Sequence, residues 1–444
     1  MTQHTPDMVL VRGATLAGMA AAARLAKAGH HVVLDADGLP DGGHWASQTQ
    51  LGVQVDELPQ TFRLPAAWRD LFKKSGKALD AELAGNKLQM VPAPPQVHRF
   101  ADGRQLVLPT ERGAQTQAVQ QAFGRPAAER WTALVDELDE VWQQLRTAGL
   151  ERPVTAETFT KQTRAQLLAG TTLDELANRS GAPHLARVVE SQAALAGATP
   201  GRAPALLGVR LAVQRRFGIW QLTTDERQPV RASTLIDLLG KRLDLRGVER
   251  IGSPAPLLGS GLPDLSMIEA PVVEARAHLD TIPFQPTGFA GRRLGRPAMA
   301  PSVRHQVLDR MPADLAPLAV TDESPCGIVE VVDHGAGAPV VTWYRPLPDG
   351  RVVLTIHDHN HPRPDLRWGL APNSFKAWQQ RPTLGGEGRW RASSASHAGN
   401  QPWAELLSAA LAVYEIHEHL TGTDIRPTNR NQPRLPRQAR PRRH

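Results

Sequence analysis

The sequence predicts an α/β protein in which a helix-covered, largely parallel sheet is interrupted by an inserted α+β lobe. Three observations lead there. The first fifty residues read as strand, tight turn, helix and strand; the middle of the chain has apolar residues at helical spacing; and the last third opens on short apolar runs between Gly and Pro turns. At 444 residues and 41% apolar content the chain can bury a core in two or three lobes, which excludes disorder of the whole.

Met8 to Val11 (MVLV) is a short apolar strand, followed at once by the turn from Arg12 to Gly18 and by a small-residue helix ending at Gly29. His30 to Leu34 (HHVVL) is a second strand, and Asp35 stands at its end, 17 residues past Gly18. Such a βαβ unit suits a dinucleotide. Turn glycines let the backbone approach a pyrophosphate, the helix N-terminus attracts its charge, and an acid at the second strand tip accepts hydrogen bonds from ribose hydroxyls. Gly13 and Gly18 match the first and third glycines of G-x-G-x-x-G, with Ala14 between them. Thr15 replaces the second, and a β-branched side chain there is expected to displace the pyrophosphate or shift its pose. Gly42-Gly43 follows closely.

Farther on, Val97 to Leu108 holds Asp102-Gly103 between two alternating runs, a hairpin signal. Gln115 to Gly149 and Thr172 to Phe217 carry helical periodicity, and Ala232 to Leu243 reads as a helix. Ile328 to Val332, Val340 to Tyr344 and Val352 to Ile356 read as an antiparallel meander. Gly252 to Pro263 and Pro283 to Pro301 read as loops, and Ala404 to Leu420 as a final helix.

The stretch Met8 to Gly43, with Asp35-Ala36 before Gly42-Gly43, resembles the N-terminus of FAD-dependent oxidoreductases of the phytoene (carotenoid) desaturase and amine oxidase superfamily. The order of later segments also resembles that family, over roughly residues 8 to 421. Arg246 to Ala255 is similar to its strand and turn beside the adenine, and Ser396 to Trp403 to its His-Pro-Gly-Gly-Gly stretch, with His397 and Gly399 matching and Ala398 and Asn400 departing. Thr224-Asp225-Glu226 stands where the family has a second Gly-Gly after a tryptophan.

The resemblance implies a discontinuous Rossmann-like FAD/NAD(P)-binding domain over 1–90, 230–280 and 380–425, and a substrate domain over 91–229 and 281–379. It implies FAD held by Gly13, Ala14, Thr15, Gly18, Asp35, Gly42, Gly43, Ala255, His397, Gly399 and Asn400. The expected activity is hydride abstraction from a C–H or C–N bond of an apolar small molecule; no catalytic acid or base is named by it. Because Thr15, Asn400 and the missing glycine pair all fall where the family touches FAD, a second reading stays open: a flavin-free relative serving as a binding or scaffold protein.

The formal charge of +7 is local. Residues 426–444 hold seven arginines and no acid; removing those seven from 51 basic residues leaves 44, equal to the 44 acids. With four prolines among its arginines this tail is expected to be disordered, solvated or in peripheral contact with anionic membrane, and no specific nucleic-acid binding is expected. The single Cys326 excludes an intrachain disulfide and reads as a structural thiol. MTQHTPD lacks the features of a signal peptide and no apolar run spans a bilayer, so a cytoplasmic protein is expected, possible membrane contact being left to the tail. His357, His359 and His361 alternate and would face one way on an extended chain, but with no cysteine to complete a site the metal reading ranks below a strand end. No G-x-S-x-G, P-loop or H-E-x-x-H is found, which sets aside the hydrolase, kinase and zinc-protease classes.

Overall fold

The computed structural model describes residues 8–199, 201–252, 274–283, 296–321, 325–363 and 368–427. Ala255, most of the two Pro- and Gly-rich loops, and the tail from residue 428 lie outside them.

Two six-stranded sheets organise the described chain. In the first, Met8–Arg12 is central, pairing in parallel with His31–Asp35 on one side and Ala277–Asp280 on the other. Glu249–Ile251 extends one edge in parallel, and Arg389–Arg391 with its antiparallel partner Gly385–Gly386 extends the other. Parallel strands buried on both faces need apolar residues in succession rather than in alternation. VVL in the second strand supplies them.

Helix Leu16–Lys27 follows the first strand, and Leu16 to Leu25 is buried along its whole first two and a half turns. Its run of four alanines leaves room for the C-terminal helix Pro402–Thr421 and for helices Pro65–Ser75 and Thr234–Leu245 to pack closely. Arg24, although buried, is neutralised by Asp70 at 2.6 Å.

The second sheet has the order Ala300–Leu308, Val352–Arg363, Val340–Pro346, Val329–His334, Gln96–Phe100, Gln105–Leu108. The expected meander and the Asp102-Gly103 hairpin are both present, the hairpin turning at Gly103. Between them lies one parallel pairing, Val331 to His334 against Val97 to Phe100. Helices Arg112–Phe123, Arg125–Leu145, Pro183–Leu195 and Val209–Phe217 cover this region, with Trp131 and Trp142 fully buried. The periodicity read over Gln115 to Gly149 is thus two helices, broken at Gly124, where φ is +86°.

Arg426, counted with the tail by charge, belongs to the folded part: it pairs with Glu415 and, at 2.5 Å, with Glu418 of the C-terminal helix. Among the described residues no helix is long and apolar enough to cross a membrane.

Candidate functional site

The first turn is built by close backbone approach. Gly13 has φ +98°, and a Cβ there would lie 2.6 Å from Ile282 Cδ1, while one on Gly18 would run into the Gly13 carbonyl. Any side chain at Gly18 would therefore push the helix off the strand, so that glycine is fixed by packing. The Gly13 amide donates to the Asp35 carbonyl (2.8 Å), tying the turn to the second strand tip.

Thr15, in place of the second glycine, is absorbed by the turn. Its hydroxyl accepts from the Gly18 amide (3.1 Å), capping the helix, and donates to Thr281 Oγ1 (2.9 Å). Thr281 in turn reaches the carbonyls of Arg12 (2.8 Å) and Gly13 (3.0 Å). Gly42 bridges to this turn, its amide donating to the Ala14 carbonyl (2.8 Å), and Gly43 packs so that a Cβ would meet Thr15 Cα at 3.4 Å. Gly13, Ala14, Thr15, Gly18, Asp35, Gly42 and Gly43 are thus brought together. Asp35 is buried, and its Oδ1 accepts from the Asp37 amide (3.0 Å).

One residue at this turn carries a signal the sequence pattern does not show. Glu405, in the first turn of the C-terminal helix, accepts from the Ala17 amide at the start of the first helix and from Trp45 Nε1 (3.1 Å). It is 3% exposed, and burial pushes its carboxyl up to about 7 against the lowering effect of Trp45 and Ala17.

The glycine cradle, the strand-tip acid and the helix N-terminus are the groups a dinucleotide needs, and they fit FAD at this turn. Glu405 is the feature of opposite sign.

Trp45 also lines a cavity of about 70 Å³ between the second sheet and the helices over it. Gln401, Pro402 and Trp403, the start of the C-terminal helix, line it too. Its polar wall centres on Glu330, which accepts from Arg63 Nη2 (2.7 Å), Thr61 Oγ1 (2.5 Å) and Gln96 Nε2 (2.6 Å). Burial alone would raise this carboxyl; Arg63 and the other two donors outweigh it and hold it below the usual range. His98 Nδ1 shares a 2.8 Å hydrogen bond with His334 Nε2, and burial lowers His98 to about 3 and His334 to about 2, so both rings are neutral at pH 7.

The C-terminal motif divides. Asn400 lines the cavity and donates to the Leu195 carbonyl (3.1 Å). His397 turns to the other side, against Trp378 and Phe159, with Nε2 3.2 Å from the Gln379 carbonyl; burial lowers it to about 4. Gly399 lies in the turn between them, at φ +101°. Thr224 ends the strand Trp220–Thr224, and Asp225-Glu226 forms an exposed turn after it. Of the three alternating histidines, His357 and His359 line the cavity, while His361 is exposed and bonded to Asp358 (2.9 Å). No three metal-ligating side chains are grouped among the described residues. Burial raises the Cys326 thiol, opposite to what a nucleophile requires.

No family model matches the chain. A hydroxyneurosporene desaturase of Cereibacter sphaeroides is 29% identical over 264 residues, 57% of this chain and 51% of the relative. A phytoene dehydrogenase of Streptomyces griseus is 35% identical over 119 residues, 27% of this chain and 22% of the relative. The matched stretches thus span about half of the first relative's length and less of the second's. Among solved structures, cyclohexylamine oxidase from Brevibacterium oxydans superposes with a TM-score of 0.58 at 14% identity over 94% of this chain and 99% of that one. Putrescine oxidase bound to putrescine gives 0.56 at 14% over 94% and 99%. The fold is therefore that of these amine oxidases, and the sequence resembles hydroxyneurosporene desaturase and phytoene dehydrogenase.

Proposed function

We propose that this protein is a flavin-dependent oxidoreductase of the desaturase type, with FAD retained at the Gly13 to Gly18 turn and a small molecule oxidised in the adjoining cavity. One observation carries this reading. The cavity and the turn are linked through Trp45, which lines the cavity and donates to Glu405, itself held by Ala17 at the head of the first helix.

Bound flavin supplies hydride acceptance. The chain supplies the rest. The turn carrying Gly13, Gly18 and Gly42 would hold the pyrophosphate through its backbone, and Asp35 would receive the ribose hydroxyls. The start of helix Pro402–Thr421 directs its positive end at the cavity, where it favours developing negative charge. Trp343, Trp368 and Trp403 wall out water.

The flavin-free reading is favoured by one specific observation. The Glu405 carboxyl holds an amide of the same helix N-terminus that a pyrophosphate would use. The absorption spectrum of the purified protein, before and after incubation with FAD, separates the two. A flavin spectrum supports the oxidoreductase; a colourless protein that takes up no FAD, as wild type and as Glu405→Gln, rejects it.

A further inference from the structure

The cavity carries one cation too many. Among the described residues its wall includes a single carboxylate, Glu330, already held by Arg63, Thr61 and Gln96. Arg210 also lines it, and among the described residues Arg210 makes no ion pair. Its Nη1 donates to the Leu195 carbonyl (3.0 Å) at the end of helix Pro183–Leu195, whose dipole offsets roughly half a charge. A guanidinium has five N–H donors in a planar fork, and one carbonyl satisfies one of them. Burial lowers Arg210 to about 9, which leaves it fully charged at neutral pH.

The histidines do not offset it. His98 and His359 are neutral, His359 lowered to about 4 by burial first and by Arg210 second. Around them stand further unsatisfied groups: His98 Nε2, His357 Nε2 and Trp368 Nε1 are all buried, on residues lining the cavity, without a hydrogen-bond partner among the described residues. The indole N–H can only donate, so what completes it is an acceptor. Buried polar groups are ordinarily paired, and several unpaired on one cavity wall mark a place for a ligand. The start of helix Pro402–Thr421 adds a positive end. The remaining wall is apolar, from Leu195, Val213, Val332 and Val341 to the tryptophans.

We propose that this cavity binds a small, mostly apolar molecule bearing a carboxylate, with the Arg210 fork taking the carboxylate. The proposal rests on reading the cavity as the substrate site and adds the chemical class: an organic acid, in preference to an amine or an uncharged hydrocarbon.

Sodium benzoate, benzamide and benzylamine, titrated into the full-length protein and followed by tryptophan fluorescence, test it, since four cavity residues are tryptophans (Trp45, Trp343, Trp368, Trp403). Benzoate is expected to bind at least about tenfold more tightly than either analogue. Arg210→Met brings benzoate down to the level of benzamide, and Arg210→Lys, which keeps the charge but not the fork and disturbs packing less, weakens it several-fold. Exposed Arg202→Met leaves the preference unchanged. Parity of benzoate and benzamide, or undiminished benzoate affinity in either Arg210 variant, overturns the proposal. Flavin absorbance read on the same sample separates the two claims: a flavoprotein without carboxylate preference defeats this proposal alone, whereas carboxylate preference in a protein that refuses FAD defeats the oxidoreductase reading alone.

Discussion

The turn at the first helix and the cavity beneath the second sheet treat their polar groups in opposite ways. At the turn, Thr15 caps Gly18 and binds Thr281, Asp35 accepts from Asp37, and Glu405 is held by Trp45 and Ala17. In the cavity, among the described residues, Arg210 makes no ion pair, sharing Glu330 at a distance with Arg63, and three ring nitrogens lack hydrogen-bond partners. A site that satisfies itself is preorganised, but any ligand must compete with internal bonds; a site left unsatisfied gains them from the ligand. The contrast separates where this protein is held rigid from where it is receptive.

Removing one partner from the paired part of the cavity is expected to have the largest effect. Glu330→Ala leaves Arg63 buried without its anion, and should cost about 3–5 kcal/mol in urea unfolding. If the loss is under about 1 kcal/mol, water reaches Arg63 and the cavity is wetter than its geometry suggests.

At the turn, Gly18→Ala forces the added methyl against the Gly13 carbonyl and should cost about 1–3 kcal/mol, read as a fall in midpoint at unchanged slope. Neutral behaviour would mean that the turn is not the rigid element of the pair.

Glu405→Gln sharpens the contrast through pH. The folded carboxyl is raised from 4.5 to about 7, so the folded state binds more protons than the unfolded state between these values. Its contribution is fully present below about pH 4.5 and is lost as pH rises through 7. Gln, which keeps the shape without ionising, should therefore match wild type near pH 5 and exceed it by about 1–3 kcal/mol at pH 8. Thermal unfolding at the two pH values checks the sign, and equal stability at both would show that Glu405 is solvated. Because the carboxylate also competes for an anion's place, the same variant should bind FAD more tightly at pH 8.

The smallest effect expected is that of Thr15→Gly, a few tenths of a kcal/mol for the lost helix cap, with any change in FAD affinity read separately from flavin fluorescence.

Much of the framework was legible in the sequence because its signals are local. Glycine spacing gave the βαβ unit, Asp102-Gly103 gave the hairpin, and alternation gave the meander. The cavity was not legible. Arg63 and Glu330 meet across 267 positions, and nothing around either residue marks a partner. Glu405 reads in sequence as an ordinary polar residue in a helix; only packing of that helix against the first one makes it a buried acid. Thr15 shows the converse. Its departure from the glycine pattern was visible, but the hydroxyl's role depends on Thr281, 266 residues away. The alternating histidines faced one way only in part, since the strand bulges between Asp358 and Pro362, and His361, within the bulge, is exposed and bonds to Asp358.

The strand order of the parallel sheet also bears on how the chain is made. Met8–Arg12 is made well before one of its neighbours, Ala277–Asp280, which lies more than 260 residues behind it, and a helix that packs on Leu16–Lys27 begins only at Pro402. The N-terminal lobe therefore cannot close while it is being translated, and its alanine-rich helix must wait with an apolar face uncovered. Such late closure slows folding and lengthens exposure to aggregation. Loss of the segment from Pro402 onward would strip the cover from the Leu16–Lys27 helix.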